Sequence, residues 1–463
     1  KNMKLLETYG LKIPQILLPK DKANLKKWSV IACDQYTQDK DYWKKVEQEV
    51  ADFPSTLKIT LPEVYLGDSD KQDRINNINK TMKEYLSNNI FSSPVEAMIY
   101  IERTTGYGRM RKGLVTAIDL ETYDWKPFST ALIRATEATI LDRIPPRMEI
   151  RRDAPIELPH IMLLVNDSEK SLVEKTGELA KSKSALYDTD LMMNSGHITG
   201  WQVSDKDEIA NVENALNQIA KKQTQKDDSI FMFAVGDGNH SLATAKAIWD
   251  ELKEANGGIK ASDGTISIPK ELENHNARFA LVEIVNIYDS GLTFEPIHRV
   301  LFNVKPQDLL TTLAEKLNGT VTDFDTAETL ENNVKNSVAN FGFTYTEDGI
   351  QKYKCLSTNI TELAVSKLQP ALDEFIKNAP NQHICDENGC RLARPEIDYI
   401  HGSSEVFRLG KQENAISILL PPVEKDSFFQ TISKTGPLPR KSFSMGEADE
   451  KRFYLECRKL FAN

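Results

Sequence analysis

The chain has 463 residues, of which 40% are hydrophobic and 27% charged, the usage of an ordinary globular protein and not of a disordered or collagen-like one. At about 150 residues per domain, that length is roughly three domains' worth. Lys and Arg number 58 against 68 Asp and Glu, a formal charge of −10, which argues against a surface that coats DNA or RNA but leaves room for a local basic pocket.

Five cysteines, Cys33, Cys355, Cys385, Cys390 and Cys457, are too few and too scattered for a disulfide scaffold, and their odd number suits a reducing compartment. Apolar runs such as 161–165 and 415–420 fall far short of a membrane span. No signal peptide is read at the start, where Lys1-Asn2-Met3-Lys4 reads as a short extension before a native start. The expectation is a soluble, cytoplasmic protein.

No fixed-period repeat or low-complexity tract points to a solenoid or propeller. In chain order, 28–32 predicts a strand and 41–51 a helix. From Ser69 onward Ile75, Ile78, Met82 and Tyr85 recur on one helical face. Strands are predicted at 97–102, 114–120 and 128–134. A Pro- and Arg-rich connection at 143–152 precedes the apolar strand at 161–165. Helices are predicted at 168–182 and 204–222, the second with Ile209, Val212, Leu216 and Ile219 on one stripe and Ser204 as N-cap. An apolar strand at 229–235 runs into a helix that Asn256-Gly-Gly258 stops. Another buried strand follows at 281–288. From 298 to 357 the order strand, helix, strand, helix, strand, strand reads as a compact α+β module. The last hundred residues predict a helix at 366–378, strands at 397–400 and 415–420, and a terminal helix at 447–461. The fold class is mixed α/β.

The most informative stretch is Phe231-Met-Phe-Ala-Val-Gly-Asp-Gly-Asn-His-Ser241. A strand ends in two glycines around an aspartate and a helix starts at once. Helix N-termini carry unpaired N–H groups and partial positive charge, which suits phosphate. Gly236 and Gly238 permit close backbone approach, His240 offers a donor or proton shuttle, and Ser241 a hydroxyl. The spacing is neither the dinucleotide fingerprint nor the Walker loop. The plainer alternative is a tight turn in which Asp237 and Ser241 only cap the helix.

Other groups carry the same double reading. Glu137, in Arg134-Ala-Thr-Glu-Ala-Thr139, is a general base for a hydroxyl nucleophile or a capping glutamate. Glu157-Leu-Pro-His160 and Pro296-Ile-His-Arg299 set a histidine beside a strand, where packing is the commoner role. Cys385-Asp-Glu-Asn-Gly-Cys390 lacks the second ligand pair of a zinc site and reads as a loop. Arg440 and Lys441, in Pro437-Leu-Pro-Arg-Lys-Ser-Phe-Ser-Met-Gly446, clamp a phosphate or form a solvated turn.

Together these segments resemble the family called domain of unknown function 1015, often labelled ParB-family-like. The resemblance is carried by Trp28-Ser-Val-Ile-Ala-Cys-Asp-Gln-Tyr36, Arg134-Ala-Thr-Glu-Ala-Thr139, Ile144-Pro-Pro-Arg147, Glu157-Leu-Pro-His160 and Gly236-Asp-Gly-Asn-His240. It continues through Pro296-Ile-His-Arg299, Ile397-Asp-Tyr-Ile-His-Gly402 and Leu438-Pro-Arg-Lys-Ser-Phe-Ser-Met-Gly-Glu-Ala448. It implies a ParB/sulfiredoxin-like core with an additional α+β module and a C-terminal strand-helix segment. The divisions expected are 1–298, holding the phosphate turn, 299–380 as the module, and 381–463 packing back on the N-terminal region.

The central turn is similar to the Asp-Gly-x-x-Arg motif of that superfamily, which implies phosphate-facing roles for Asp237, Gly238, Asn239 and His240. Ser241 stands where arginine is usual, and Arg440 or Lys441 would supply the missing charge. Free-serine kinases pair a His-Glu segment with an Asp-Gly-His-His-Arg turn, and Thr136-Glu137 keeps that glutamate while losing the histidine.

The resemblance thus implies an enzyme that transfers or hydrolyses a phosphoryl group on a small metabolite, serine or phosphoserine first. Glu137 would be the base, Asp237 would orient the turn or hold Mg²⁺, and His240 would assist. Gly236, Gly238, Asn239 and Ser241 would hold phosphate or nucleotide, with Arg440 and Lys441 neutralising it. ADP or ATP and Mg²⁺ are the cofactors implied, though no dedicated metal-ligand set is read. The partners are a small phosphorylated metabolite or nucleotide and, for assembly, a second copy, but neither membrane nor nucleic acid. The alternative is a ParB-like nucleotide-binding switch without turnover, and no helix-turn-helix signature favours a DNA-bound version.

Overall fold

The computed structural model describes residues 3–462. The chain forms two units: the first runs up to Leu292 and resumes at Glu447, and the second is Thr293–Gly446.

Among the described residues, ten strands make the sheet of the first unit. Its order is Tyr187–Asp190, His197–Val203, Met98–Thr104, Met110–Asp119, Phe279–Asn286, Ile161–Val165, Phe233–Asp237, Ile133–Ala135 and Tyr123–Asp124, with Leu11–Lys12 joined to Met110–Asp119. The central strands are covered on both faces, so they read as continuous apolar runs and not as alternations. Every residue of Ile161–Val165 and of Phe279–Asn286 is buried. One face packs Leu163, Val165, Phe233 and Val235 against Leu216, Leu242 and Trp249 of the helices Lys206–Lys222 and Asn239–Ala255. The other packs Ile99, Ile101 and Leu281 with Trp28, Trp43, Ile75, Met82 and Phe453.

The pairing that positions the site is parallel. Phe233–Asp237 runs beside Ile133–Ala135 in the register Phe233↔Ile133 to Val235↔Ala135. The chain therefore leaves both strands at the same sheet edge, the carboxyl end where ligands of α/β sheets commonly bind. On its other side Phe233–Asp237 is antiparallel to Ile161–Val165.

Local differences from the sequence reading have physical causes. The helix expected from Ser69 is Lys71–Ser87, with Ile75, Ile78, Met82 and Tyr85 buried. Asp205, not Ser204, caps Lys206–Lys222, because Glu208 closes a reciprocal capping box with it. The connection read at 143–152 holds the helix Ile144–Arg151. Its two prolines lie in the first turn, where no N–H is needed.

The terminal helix expected at 447–461 is replaced by short strands: Phe453–Tyr454 pairs with Val30–Ile31, and Arg458–Lys459 with Ile156–Glu157. Its charges are the reason. Arg452, Glu456 and Arg458 are buried and each has a fixed partner across the fold, Asp237 for Arg452, Tyr187 for Glu456 and Glu157 for Arg458, which a solvated helix face would not give. Cys385 and Cys390, read as a loop, face each other across the hairpin of Gln382–Asp386 and Gly389–Ala393 and form a disulfide.

The second unit is built on a six-stranded antiparallel sheet, ordered Thr320–Phe324, Ile350–Ser357, Asn340–Glu347, Ala415–Leu419, His298–Phe302 and Glu396–Ile400. Leu301, Phe341, Phe343 and Ile416 pack on one face with Leu309, Leu313, Leu368 and Leu372. Val300 and Leu419 pack on the other with Leu330, Val334 and Val406. Among the described residues no helix is long and apolar enough to cross a membrane.

Candidate functional site

Two loops meet at the carboxyl edge of the parallel pair. Gly238 follows Phe233–Asp237 at φ 90° and is the N-cap residue of the helix Asn239–Ala255. A side chain in that left-handed conformation would be strained, and a Cβ there would also meet the Ile161 side chain at 3.1 Å. Glycine brings no side chain to the cap, so the N-cap residue makes no side-chain hydrogen bond to the first turn. First-turn N–H groups of such a helix look to a ligand or to water for acceptors.

The neighbouring loop is tied to this turn at two points. The Thr136 N–H donates to Asn239 Oδ1 at 3.3 Å, while Asn239 Nδ2 donates to Thr136 Oγ1 at 3.3 Å. The Ile140 N–H donates to His240 Nε2 at 3.1 Å, so in the neutral ring the proton sits on Nδ1. Glu137 lies between these two ties and is partly buried.

Beneath the turn, Arg452 bridges two carboxylates. It donates from Nη1 to Asp237 at 2.7 Å and from Nη2 to Asp34 at 3.2 Å. Its side chain is 2% exposed, against 20% and 24% for the two aspartates. Burial opposes the charge on Asp237, but Arg452, Lys451 and the Gly238 N–H hold its pKa below the ordinary carboxylate value. Burial also opposes the charge on Arg452, and Asp34 and Asp237 more than restore it. Beside them the Cys33 Sγ lies 3.2 Å from the Tyr454 hydroxyl. Burial, followed by Asp34, pushes that thiol up to about 12, so it stays protonated and unreactive at neutral pH.

Of the residues expected from sequence, Glu137 lies on the loop after Ile133–Ala135, Gly236 and Asp237 end the strand Phe233–Asp237, Gly238 is the turn, and Asn239, His240 and Ser241 open the helix. Arg440 and Lys441 belong to the second unit, where both are exposed. Asp34 and Arg452 were missed as site residues. Asp34 stands in the segment 28–36 that carries the family resemblance. Arg452 had no signal, lying in a stretch read as helix.

The two histidine segments are packed into the fold. Glu157 is buried against Arg458 and accepts the Leu281 N–H at 2.7 Å. His160 sits 3.0 Å from the Phe453 carbonyl and 3.2 Å from Glu283. His298 accepts the Leu420 N–H at 3.0 Å.

A divalent cation does not fit here. Mg²⁺ takes carboxylate oxygens, but Asp34 and Asp237 already share a guanidinium that stands in the cation's place. Among the described residues no group of three or more His, Cys, Asp or Glu is arranged to hold a metal.

The profile of one family, described as "Protein of unknown function (DUF1015)", matches residues 15–375. The chain belongs to that family. A comparison with curated proteins finds no match. Among solved structures the chain is similar to a free serine kinase mutant in complex with AMP, at 10% identity, over 75% of this chain and 92% of that one, with a TM-score of 0.37. It is also similar to a conserved hypothetical protein from Pyrococcus furiosus (9% identity, 74% and 90% covered, TM-score 0.32). A third is C-terminally truncated SbnI from Staphylococcus aureus (7% identity, 72% and 83% covered, TM-score 0.33).

Proposed function

We propose that this chain moves a phosphoryl group onto or off a small hydroxyl-bearing metabolite, with serine and phosphoserine the first substrates to test and ADP or ATP the nucleotide. The observation that supports this reading is the glycine-led helix N-terminus at Gly238, cross-tied to the loop that carries Glu137. Phosphoryl transfer asks a protein mainly for positioning and charge stabilisation. In this reading the first-turn amides from Asn239 to Ser241 hold the phosphate oxygens. Glu137 takes the proton of the attacking hydroxyl, whose oxygen bonds to phosphorus as the bond to the leaving oxygen breaks. Asp237, fixed by Arg452, and His240, fixed by Ile140, position the turn.

The test is turnover of phosphoserine, and of serine with ADP or ATP, by wild type and by Glu137→Gln. Loss of a general base lowers the rate by about 10²–10⁴-fold, with phosphate binding kept. Unchanged turnover in Glu137→Gln would remove that residue as the base. Nucleotide binding without turnover by wild type would favour the switch reading.

A further inference from the structure

Within the first unit a cavity of about 140 Å³ opens beside the turn, with Ser241 and Thr244 of the helix Asn239–Ala255 on one wall. Its other walls are largely aliphatic, from Ile59, Leu61, Met82, Ile156 and Leu158, all buried. Nothing in the proposed transfer chemistry uses this space.

The polar groups that line it are nearly all spent on one another. Glu63 is paired with Arg147, and Glu157 with Arg458 and, at 3.5 Å, with Arg151. The Thr244 hydroxyl donates to the His240 carbonyl at 2.7 Å, the Thr60 hydroxyl to the Thr56 carbonyl at 2.9 Å, and Cys33 is engaged with Tyr454. Nε of Arg151, whose side chain is 10% exposed, is buried without a partner, and the Ser241 hydroxyl also faces the space.

A space of this size matches the ~150 Å³ apolar cavity that takes up benzene. Apart from those donors the lining is aliphatic or already paired, so most of it offers nothing to a polar body, which would lose its water there without gaining partners. Ser241 is shared between the cavity and the first turn of the helix, so the two spaces adjoin.

We infer that the cavity receives an apolar, ring-sized part of the ligand, and that the molecule acted on is a phosphate ester, or the matching alcohol, with a single ring or branched aliphatic body. This rests on the phosphate reading above and narrows it, since serine would leave most of the space unfilled.

The experiment measures binding to the whole chain of four probes: inorganic phosphate, phosphoserine, phenyl phosphate and benzyl alcohol. Leu61→Phe and Ala154→Leu, which add carbons to the walls away from the turn, are measured alongside. The expected result is that phenyl phosphate binds at least tenfold more tightly than phosphoserine to wild type. Either variant that folds should lose that preference while keeping its affinity for inorganic phosphate. Equal affinities of phenyl phosphate and phosphoserine for wild type would overturn the inference, as would a preference that survives in both variants. Benzyl alcohol separates the two readings. If it binds, and loses binding in the variants, while phosphate does not bind at all, the cavity assignment stands and the phosphate site fails.

Discussion

The guanidinium of Arg452 lies 2.7 Å from the carboxylate of Asp237, joining residues 215 positions apart. Through this contact the C-terminal segment reaches the turn at the sheet edge. Removing one partner of a buried pair leaves the other uncompensated and costs about 3–5 kcal/mol. Arg452→Met should therefore lower the unfolding free energy obtained from denaturant titration by an amount in that range. The pH dependence should change with it. The pKa of Asp237 is depressed in the folded chain, so its stabilisation is present above the unfolded value, about 3.9, and is lost as pH falls through the folded value. Without Arg452, burial dominates, and acid unfolding should begin at a higher pH than in wild type.

Gly238 should resist substitution. At φ 90° an alanine carries a penalty of about 1–2 kcal/mol, and its Cβ would press on Ile161. Gly238→Ala is expected to lower thermal stability and to weaken inorganic phosphate binding together. Gly257, also at positive φ but with nothing within 4 Å of its Cβ position, is the control: its alanine variant should cost stability and leave phosphate binding as it was.

His298 gives the second unit a titration of its own. Burial first, and Arg299 second, push its pKa down to about 4, against about 6.5 in an unfolded chain. The unfolded chain thus binds the extra proton between those values. The stabilisation is whole above pH ~6.5 and drains as pH falls toward 4, by about 3 kcal/mol in all. His298→Asn, whose side-chain oxygen can accept the Leu420 N–H, should flatten the slope of unfolding free energy over that interval.

Cutting the chain after Gly446 should unfold the first unit. Arg103 donates to the carbonyls of Asp449, at 2.8 Å, and Glu450, at 3.1 Å, and Trp28 Nε1 donates to that of Leu455 at 2.9 Å. Losing those acceptors strands a buried guanidinium, and the tail's apolar residues leave a hole. The measurement is near-ultraviolet circular dichroism, in which the shortened chain should lack the native aromatic signal.

What could be read from sequence follows from how local each cause is. Strands buried on both faces, such as Ile161–Val165, announce themselves by unbroken apolar runs. The helix Lys71–Ser87 does so by its spacing, and the Gly238 turn by the residue that takes a positive φ at least cost. The mixed α/β class rests on these and was legible. The C-terminal strands were not, because Arg452 and Arg458 look like solvent-facing charges until their partners, Asp237 and Glu157, arrive from far along the chain. Asp34 was hidden for the same reason: its role exists only through Arg452. The helix Ile144–Arg151 was masked by prolines whose position in the first turn removes their usual cost.

The most direct test of the central claim follows backbone amide resonances of the full chain as inorganic phosphate is added. The account predicts saturable shifts largest at Gly238, Asn239, His240 and Ser241, reduced in Gly238→Ala. Saturable phosphate binding that leaves those four amides unmoved, or no binding in the millimolar range, would contradict it.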